Sequence, residues 1–229
     1  MHFRLPKPLH GWREFAGEVG IIVIGVLIAL GAEQVVEAAH WRHSVAEAKE
    51  SLDAELGDSK MSSIELIQDQ ACTDRRLDRL DALVDRGTVP ADMHVQLFGL
   101  RKWSTSTWEA ATSSGAVAHM SLDDRNRYAG IFGLVRVLGG LATNAYEASS
   151  DLSSLDRHNK LTDVSRDRLD ADLAKLRKLN FMLGLGSRQF LEGTRALNLH
   201  ILGDAQAQLS RERAYNQRCP MPDSPAAAA

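Results

Sequence analysis

The 229-residue chain lacks several features that would point to a function. It has little excess charge: 27 basic residues stand against 30 acidic ones, a formal net charge of -3. Without a bulk cationic surface there is no counterion-release drive toward nucleic acid, and nucleic acid is not an expected partner. Aromatic residues make up only 6% of the chain and prolines number six. With Ala, Leu, Asp and Arg abundant, that composition disfavours sheets built on Val, Tyr and Thr runs and favours helices, so the expected fold class is all-α. There are two cysteines and no Cys-x-x-Cys, which excludes a zinc ribbon or a dithiol redox motif. No repeat at solenoid periods is present.

What the chain does have is one apolar run near its N-terminus, VGIIVIGVLIALGA from Val19 to Ala32, fourteen residues without a charge. Alone it is shorter than the roughly 20 residues that span a hydrocarbon core of about 30 Å. Extended back to Phe15 it covers about 27 Å at 1.5 Å per residue, with Glu18 near one edge where a carboxylate reaches the headgroups. Trp12 and Trp41 bracket it about 43 Å apart on a helix, close to the full thickness of a bilayer with its interfaces. Trp12, Glu18 and Trp41 are therefore the expected membrane-interface residues. A buried core helix and a cleaved signal peptide are the competing readings; the residues after Ala32 continue in helical pattern, which favours an anchor leading into a stalk.

Arg4, Lys7 and Arg13 precede the run, whereas Arg42 and Lys49 follow it. This small bias places the N-terminus in the cytoplasm and the rest outside it, which in a Gram-negative bacterium is the periplasm. The expected organisation is a short cytoplasmic tail (1–11), a transmembrane helix (12–36), a stalk and helical-bundle domain (37–218) and a disordered Pro/Ala-rich tail (219–229). Small residues at Gly25 and Ala29, and at Ala16 and Gly20, would let two anchors pack closely.

Beyond the anchor, apolar or small residues recur at three- and four-residue steps through Trp41, Val45, Ala48, Leu52, Leu56, Ser59, Ser63, Leu66, Thr73, Leu77, Leu80 and Val84, the pattern of one long amphipathic helix. It stops at Gly87, with Pro90 just beyond. A short helix is expected from Ala91 to Trp103, then a polar stretch from Ser104 to Thr107, then a helical turn ending at Gly115. Ser121 and Asp124 form a capping box that opens a helix with Tyr128, Ile131, Phe132, Val135, Leu138 and Leu141 on one face. A further amphipathic helix follows Asp151, broken near His158 to Thr162. Gly184 and Gly186 mark a kink or boundary, and a last helix runs from Ser187 to about Gln217. The expected architecture is an antiparallel helical bundle. The Arg75-Arg76 pair, flanked by Asp74 and Asp78, is expected on a solvated face.

Few residues suggest chemistry. Cys72 and Cys219 form an even pair in an exported domain, which invites a disulfide closing a loop of well over 100 residues, worth about 4 kcal/mol by chain entropy; two unrelated thiols are the alternative. Glu37, His40 and His43 give half of a di-iron bundle signature, with the second half missing. No metal and no cofactor are expected, and no nucleophile-base pair stands at diagnostic spacing. Gly184-Leu-Gly186 is too little for a phosphate loop. Trp108, Glu109, Ser113 and Ser114 remain as a candidate cleft. The alternative is structural: Trp108 and Val117 bury while Ser113-Ser114-Gly115 turns, the hydroxyls bonding local backbone.

Two stretches, FAGEVGIIVIGVLIALGAEQVVE (Phe15 to Glu37) and TWEAATSSGAVAHMSLDDRNRYAGIF (Thr107 to Phe132), together resemble a group of bacterial single-pass membrane proteins that have no assigned activity. The likeness covers about a third of the chain. It departs after Phe132, and also after Leu30 and Gly31, where Ala-Glu-Gln-Val-Val stands in place of polar Asn/Trp residues. It implies a single anchor and a bundle. The expected function is an interaction or accessory subunit, with the bilayer and a protein partner or a second copy as its contacts, and not an enzyme. A ligand-sensing bundle that signals through a partner is the alternative.

Overall fold

The computed structural model describes residues 11–87, 97, 101–152, 161–197, 199, 201 and 205–219. The expected cytoplasmic tail, most of the expected Ala91–Trp103 helix, the break from His158 to Lys160 and the tail beyond Cys219 lie outside them. Among the described residues there are five α-helices: α1 (Trp12–Arg86), α2 (Ser106–Ser113), α3 (Leu122–Asp151), α4 (Asp163–Gly193) and α5 (Ala205–Arg218). A 3-10 turn (Ala116–His119) joins α2 to α3. No strand occurs among the described residues. The chain divides into two compact units, Met1–Glu47 and Ala48–Ala229.

In the first unit α1 carries the apolar run, and it is long and apolar enough to cross a membrane. None of its most apolar stretch is buried. Ile21 is 74% exposed and Val36 70%. A helix that is apolar all round and covered by nothing in its own unit has the surface of a lipid-facing span.

In the second unit the remainder of α1 is a full member of the bundle, packed along its length. The three- and four-residue periodicity is its core stripe: Leu52, Leu56, Ser59, Ser63, Leu66, Thr73, Leu77, Leu80 and Val84 are all buried. Gly87, at φ 68°, ends the helix in the left-handed conformation that Gly adopts without a Cβ penalty. The Arg75-Arg76 pair departs from expectation: Arg75 is exposed, but Arg76 is 6% exposed and lies within the packed unit. It follows Thr73 and precedes Leu77, both buried, so the stripe here is wider than its apolar residues alone suggest.

Helix α3 opens on Ser121, whose hydroxyl accepts from the Asp124 N–H at 3.1 Å. It buries Tyr128, Ile131, Phe132, Val135 and Leu138, with Leu141 half-buried. Lys49 pairs with Asp124 and Asp53 with Tyr128, so α3 runs parallel to α1. Helix α4 is antiparallel to α1, because Asp81 and Asp78 meet Arg177 while Asp74 and Gln70 meet Asn180.

Gly184 and Gly186 do not interrupt α4, and Ser187 is not the start of a helix; α4 runs unbroken to Gly193 and α5 begins only at Ala205. The glycines are notches. A Cβ at Gly184 would collide with the Gln70 amide of α1, and one at Gly186 would sit 2.9 Å from Leu138 Cδ2 of α3. Each costs helix propensity of about 1 kcal/mol relative to Ala, offset by the close approach it permits.

Candidate functional site

The expected helix up to Trp103 is corrected at its described end: residues 101–105 are not helical. They form a strap that runs back along α1, opposite to the helix direction. Arg101 reaches Asp69 at 3.3 Å, Ser62 Oγ donates to the Lys102 carbonyl at 3.0 Å, and Ser106 Oγ donates to Glu55 at 2.7 Å. The Lys102 carbonyl thus has a partner on α1 rather than within a helix of its own. On α1 the partners Glu55, Ser62 and Asp69 recur every seven residues, with Asp58 and Glu65 between them, a polar stripe beside the apolar one. Trp103 lies over α3, where Gly139 leaves room: a Cβ there would be 3.3 Å from the Trp103 carbonyl. The strap carries the chain back to the start of the bundle, which is how α3 comes to run parallel to α1.

Its anchor point is Glu55, only 9% exposed. The carboxylate accepts from Ser106 Oγ, from the Thr107 N–H at 3.0 Å and from the Thr107 hydroxyl, with Ser104 contributing a further bond. Burial opposes its ionised form most, but the hydrogen bonds from Ser104, Thr107 and Ser106 together outweigh it and hold the carboxyl below its ordinary value. Helix α2 has Thr105 at its N-cap position with no side-chain cap bond of its own; the Thr105 hydroxyl donates to Glu109 instead. Glu55 therefore caps α2 from another helix, placing a negative charge at its N-terminal N–H groups.

A second polar cluster lies earlier on α1, at Asp53 and Lys49, roughly half a turn and one and two-thirds turns before Glu55. Lys49 Nζ is 2.6 Å from Asp124, which also accepts from Ser121 Oγ at 2.7 Å. The hydrogen bond from Lys49, then that from Ser121, keeps Asp124 below its ordinary value. Tyr128 donates to Asp53 at 2.7 Å, and burial, then the Asp53 contact, pushes the phenol up, so it stays protonated.

The four candidate cleft residues are placed as follows. Trp108 is half-buried and stacks on Phe132 of α3, ring centroids 5.6 Å apart and planes at 18°. Glu109 is exposed, accepts from Thr105 Oγ1 at 2.8 Å and lies 3.7 Å from Arg136. Ser113 Oγ donates to the Glu109 carbonyl at 2.8 Å and Ser114 Oγ to the Ala111 carbonyl at 3.1 Å. Gly115 turns at φ 85° and Val117 is buried. The structure brings Trp108 and Glu109 to the α3 side of the turn and commits both serine hydroxyls to backbone one turn back. Glu55 is the anchoring side chain that reading by motif missed, although its stripe with Asp58, Ser62, Glu65 and Asp69 was visible as spacing.

Among the interface residues, Trp12 is 80% exposed, Glu18 is exposed and Trp41 is half-buried, its Nε1 donating to Glu37 at 3.4 Å. His43 pairs with Glu47 at 3.1 Å. Among the described residues no group of three or more His, Cys, Asp or Glu side chains is placed to hold a metal ion. Cys72 and Cys219 are joined in a disulfide, with Cα atoms 5.5 Å apart across 147 residues of sequence.

What this arrangement does chemically is fix a strap and a short helix to α1 through part-buried hydrogen bonds, those to Glu55 and Asp69 charge-assisted. No protein-family model, no curated protein and no solved structure matches the chain.

Proposed function

We propose that the chain is a single-pass protein of the bacterial inner membrane, N-terminus in the cytoplasm and everything from residue 37 onward in the periplasm, working as an interaction or accessory subunit rather than as an enzyme. The observation that carries the anchor is the uncovered apolar surface of α1: Ile21, Ile22, Leu27 and Ile28 are each more than 60% exposed, a surface that water disfavours and lipid accepts. The disulfide supports an extracytoplasmic bundle, since such bonds persist where thiols are not held reduced. Basic residues ahead of the run give the orientation. The likeness to single-pass bacterial proteins at Phe15 to Glu37 and Thr107 to Phe132 agrees with it.

An interaction role is supported by apolar side chains left on the surface of the bundle. Phe181, Met182 and Leu185 share one side of α4 and are 59%, 40% and 39% exposed. Burying such a patch against a partner is favourable by about 25 cal/mol per Å².

Topology is tested by W41C and an impermeant thiol reagent on spheroplasts, the native cysteines being bonded. Labelling before lysis is expected; labelling only after lysis inverts the orientation. The partner is tested by crosslinking in the native membrane followed by mass spectrometry. A stoichiometric partner or a discrete oligomer is expected, and a clean monomer under several mild extraction conditions ends the interaction reading.

A further inference from the structure

Helix α5 is held differently from the rest of the bundle. Where α4 buries Leu169, Leu173, Leu176, Leu183 and Phe190, the described side chains of α5 are exposed except for Leu209 and Asn216, which are half-buried. A polar helix of 14 residues is marginal in water without tertiary packing. Ser210 has an interaction partner, and two further ties run from α5 to α1. Gln208 donates to Glu65 at 2.9 Å, and Cys219, one residue past the helix end, is bonded to Cys72. Cys219 sits at φ 42°, in the left-handed region that disfavours residues other than Gly or Asn, so its backbone conformation is held from outside.

We infer that α5 is a latch closed by oxidation: with Cys72 and Cys219 as thiols it is detached from α1, and forming their disulfide docks it against Glu65. In the open state the Cys219 thiolate attacks a disulfide oxidant, either a small-molecule disulfide or a disulfide oxidoreductase, and displaces one thiol to leave a mixed disulfide. The Cys72 thiolate then attacks the Cys219 sulfur and displaces the second thiol. Two protein thiols lose two electrons and two protons, and the oxidant disulfide becomes two thiols. Once closed, Cys72 is 1% and Cys219 4% exposed, which slows attack by external thiolates on either sulfur relative to an exposed bond. The latch lies wholly within the Ala48–Ala229 unit, and its test is separate from that of membrane topology.

The test is amide hydrogen exchange on the full chain in mild detergent, reduced with dithiothreitol and after oxidation with oxidised glutathione. Oxidation should slow exchange across residues 205–218 by about tenfold or more while residues 122–151 and 163–193 stay unchanged. The C72A/C219A double variant should show the open pattern in oxidised glutathione, which separates bond formation from any other effect of the reagent. Equal exchange of 205–218 in both redox states overturns the latch. So does acceleration of α3 and α4 on reduction to the same extent as α5, which would make the bond a staple for the whole bundle.

Discussion

The carboxylate of Glu55 lies 3.0 Å from the backbone nitrogen of Thr107, 52 residues away in sequence, and it supplies the N-terminal cap that α2 lacks locally. One side chain of the longest helix therefore decides where the strap ends and α2 begins.

Glu55→Ala removes the acceptor and leaves the Ser104, Ser106 and Thr107 donors to find water, so a loss of about 1–3 kcal/mol in urea unfolding is expected. Glu55→Gln keeps the shape but turns an NH₂ toward other donors and should cost about as much. An unchanged midpoint for both would remove Glu55 from its place as the anchor of the strap.

The pH dependence has a defined sign. Glu55 and Asp124 both have folded pKa values below their ordinary 4.5 and 3.8. Their contribution is fully present above those ordinary values and is lost as pH falls through the lower folded ones, because the unfolded chain then binds more protons. Stability should fall on acidification below about pH 4.5, and Glu55→Gln should flatten that fall. Urea midpoints taken between pH 7 and pH 3 decide it; a variant as acid-sensitive as the parent counts against the assignment.

Gly184 and Gly133 should respond oppositely to Ala. Gly184→Ala pushes the far end of the Gln70 side chain off its bonds to the Asn180 carbonyl and Arg188 and should destabilise by about 1 kcal/mol net of the helix propensity Ala gains, with Gln70→Ala removing the clash. At Gly133 a Cβ meets nothing within 4 Å, so Gly133→Ala should stabilise α3 by about 0.5–1 kcal/mol. Thermal unfolding of the three variants and the Gly184/Gln70 double variant measures both signs.

Trp108 and Glu109 are neighbours with different roles. Trp108→Ala gives up the stack on Phe132 and part of its burial and should cost about 1–3 kcal/mol, whereas Glu109→Gln, on an exposed side chain, should leave stability unchanged within about 0.5 kcal/mol. If Glu109→Gln keeps the fold yet abolishes crosslinking to a partner, the turn itself belongs to the interface.

Phe181→Glu combined with Leu185→Glu places charge on the exposed side of α4 without touching the buried Leu183 or Phe190. The expected outcome is a normal unfolding midpoint with loss of the crosslinked species. Retention of that species would move the interface elsewhere on the bundle.

Reading by spacing worked best where local patterning and tertiary packing agree. The stripe from Leu52 to Val84, the Ser121 cap, the Gly87 stop and the Gly115 turn all follow from residues a few positions apart. It failed at Gly184 and Gly186, where poor helix propensity suggested a boundary but the missing Cβ atoms serve packing against Gln70 and Leu138, which no local window contains. The end of the expected Ala91–Trp103 helix failed for the same reason: the acceptors and donors of Arg101, Lys102 and Thr107 belong to α1. The even cysteine count allowed either a disulfide or two unrelated thiols; only the fold, which brings the Cα atoms of Cys72 and Cys219 to 5.5 Å, decides for the bond.

The sequence by itself determined the helical class and the exposed apolar run of α1, because hydrophobic period and side-chain chemistry are local quantities. It also determined the main core stripe. Tertiary structure alone decided that the expected stalk is a packed member of the bundle from Ala48 onward, and that α3 runs parallel to α1 by way of a strap. It also decided that a single glutamate caps a helix through a backbone N–H 52 residues downstream. These depend on which polar groups meet across long sequence separations, and the pairing of a buried donor with its acceptor is set by the whole fold.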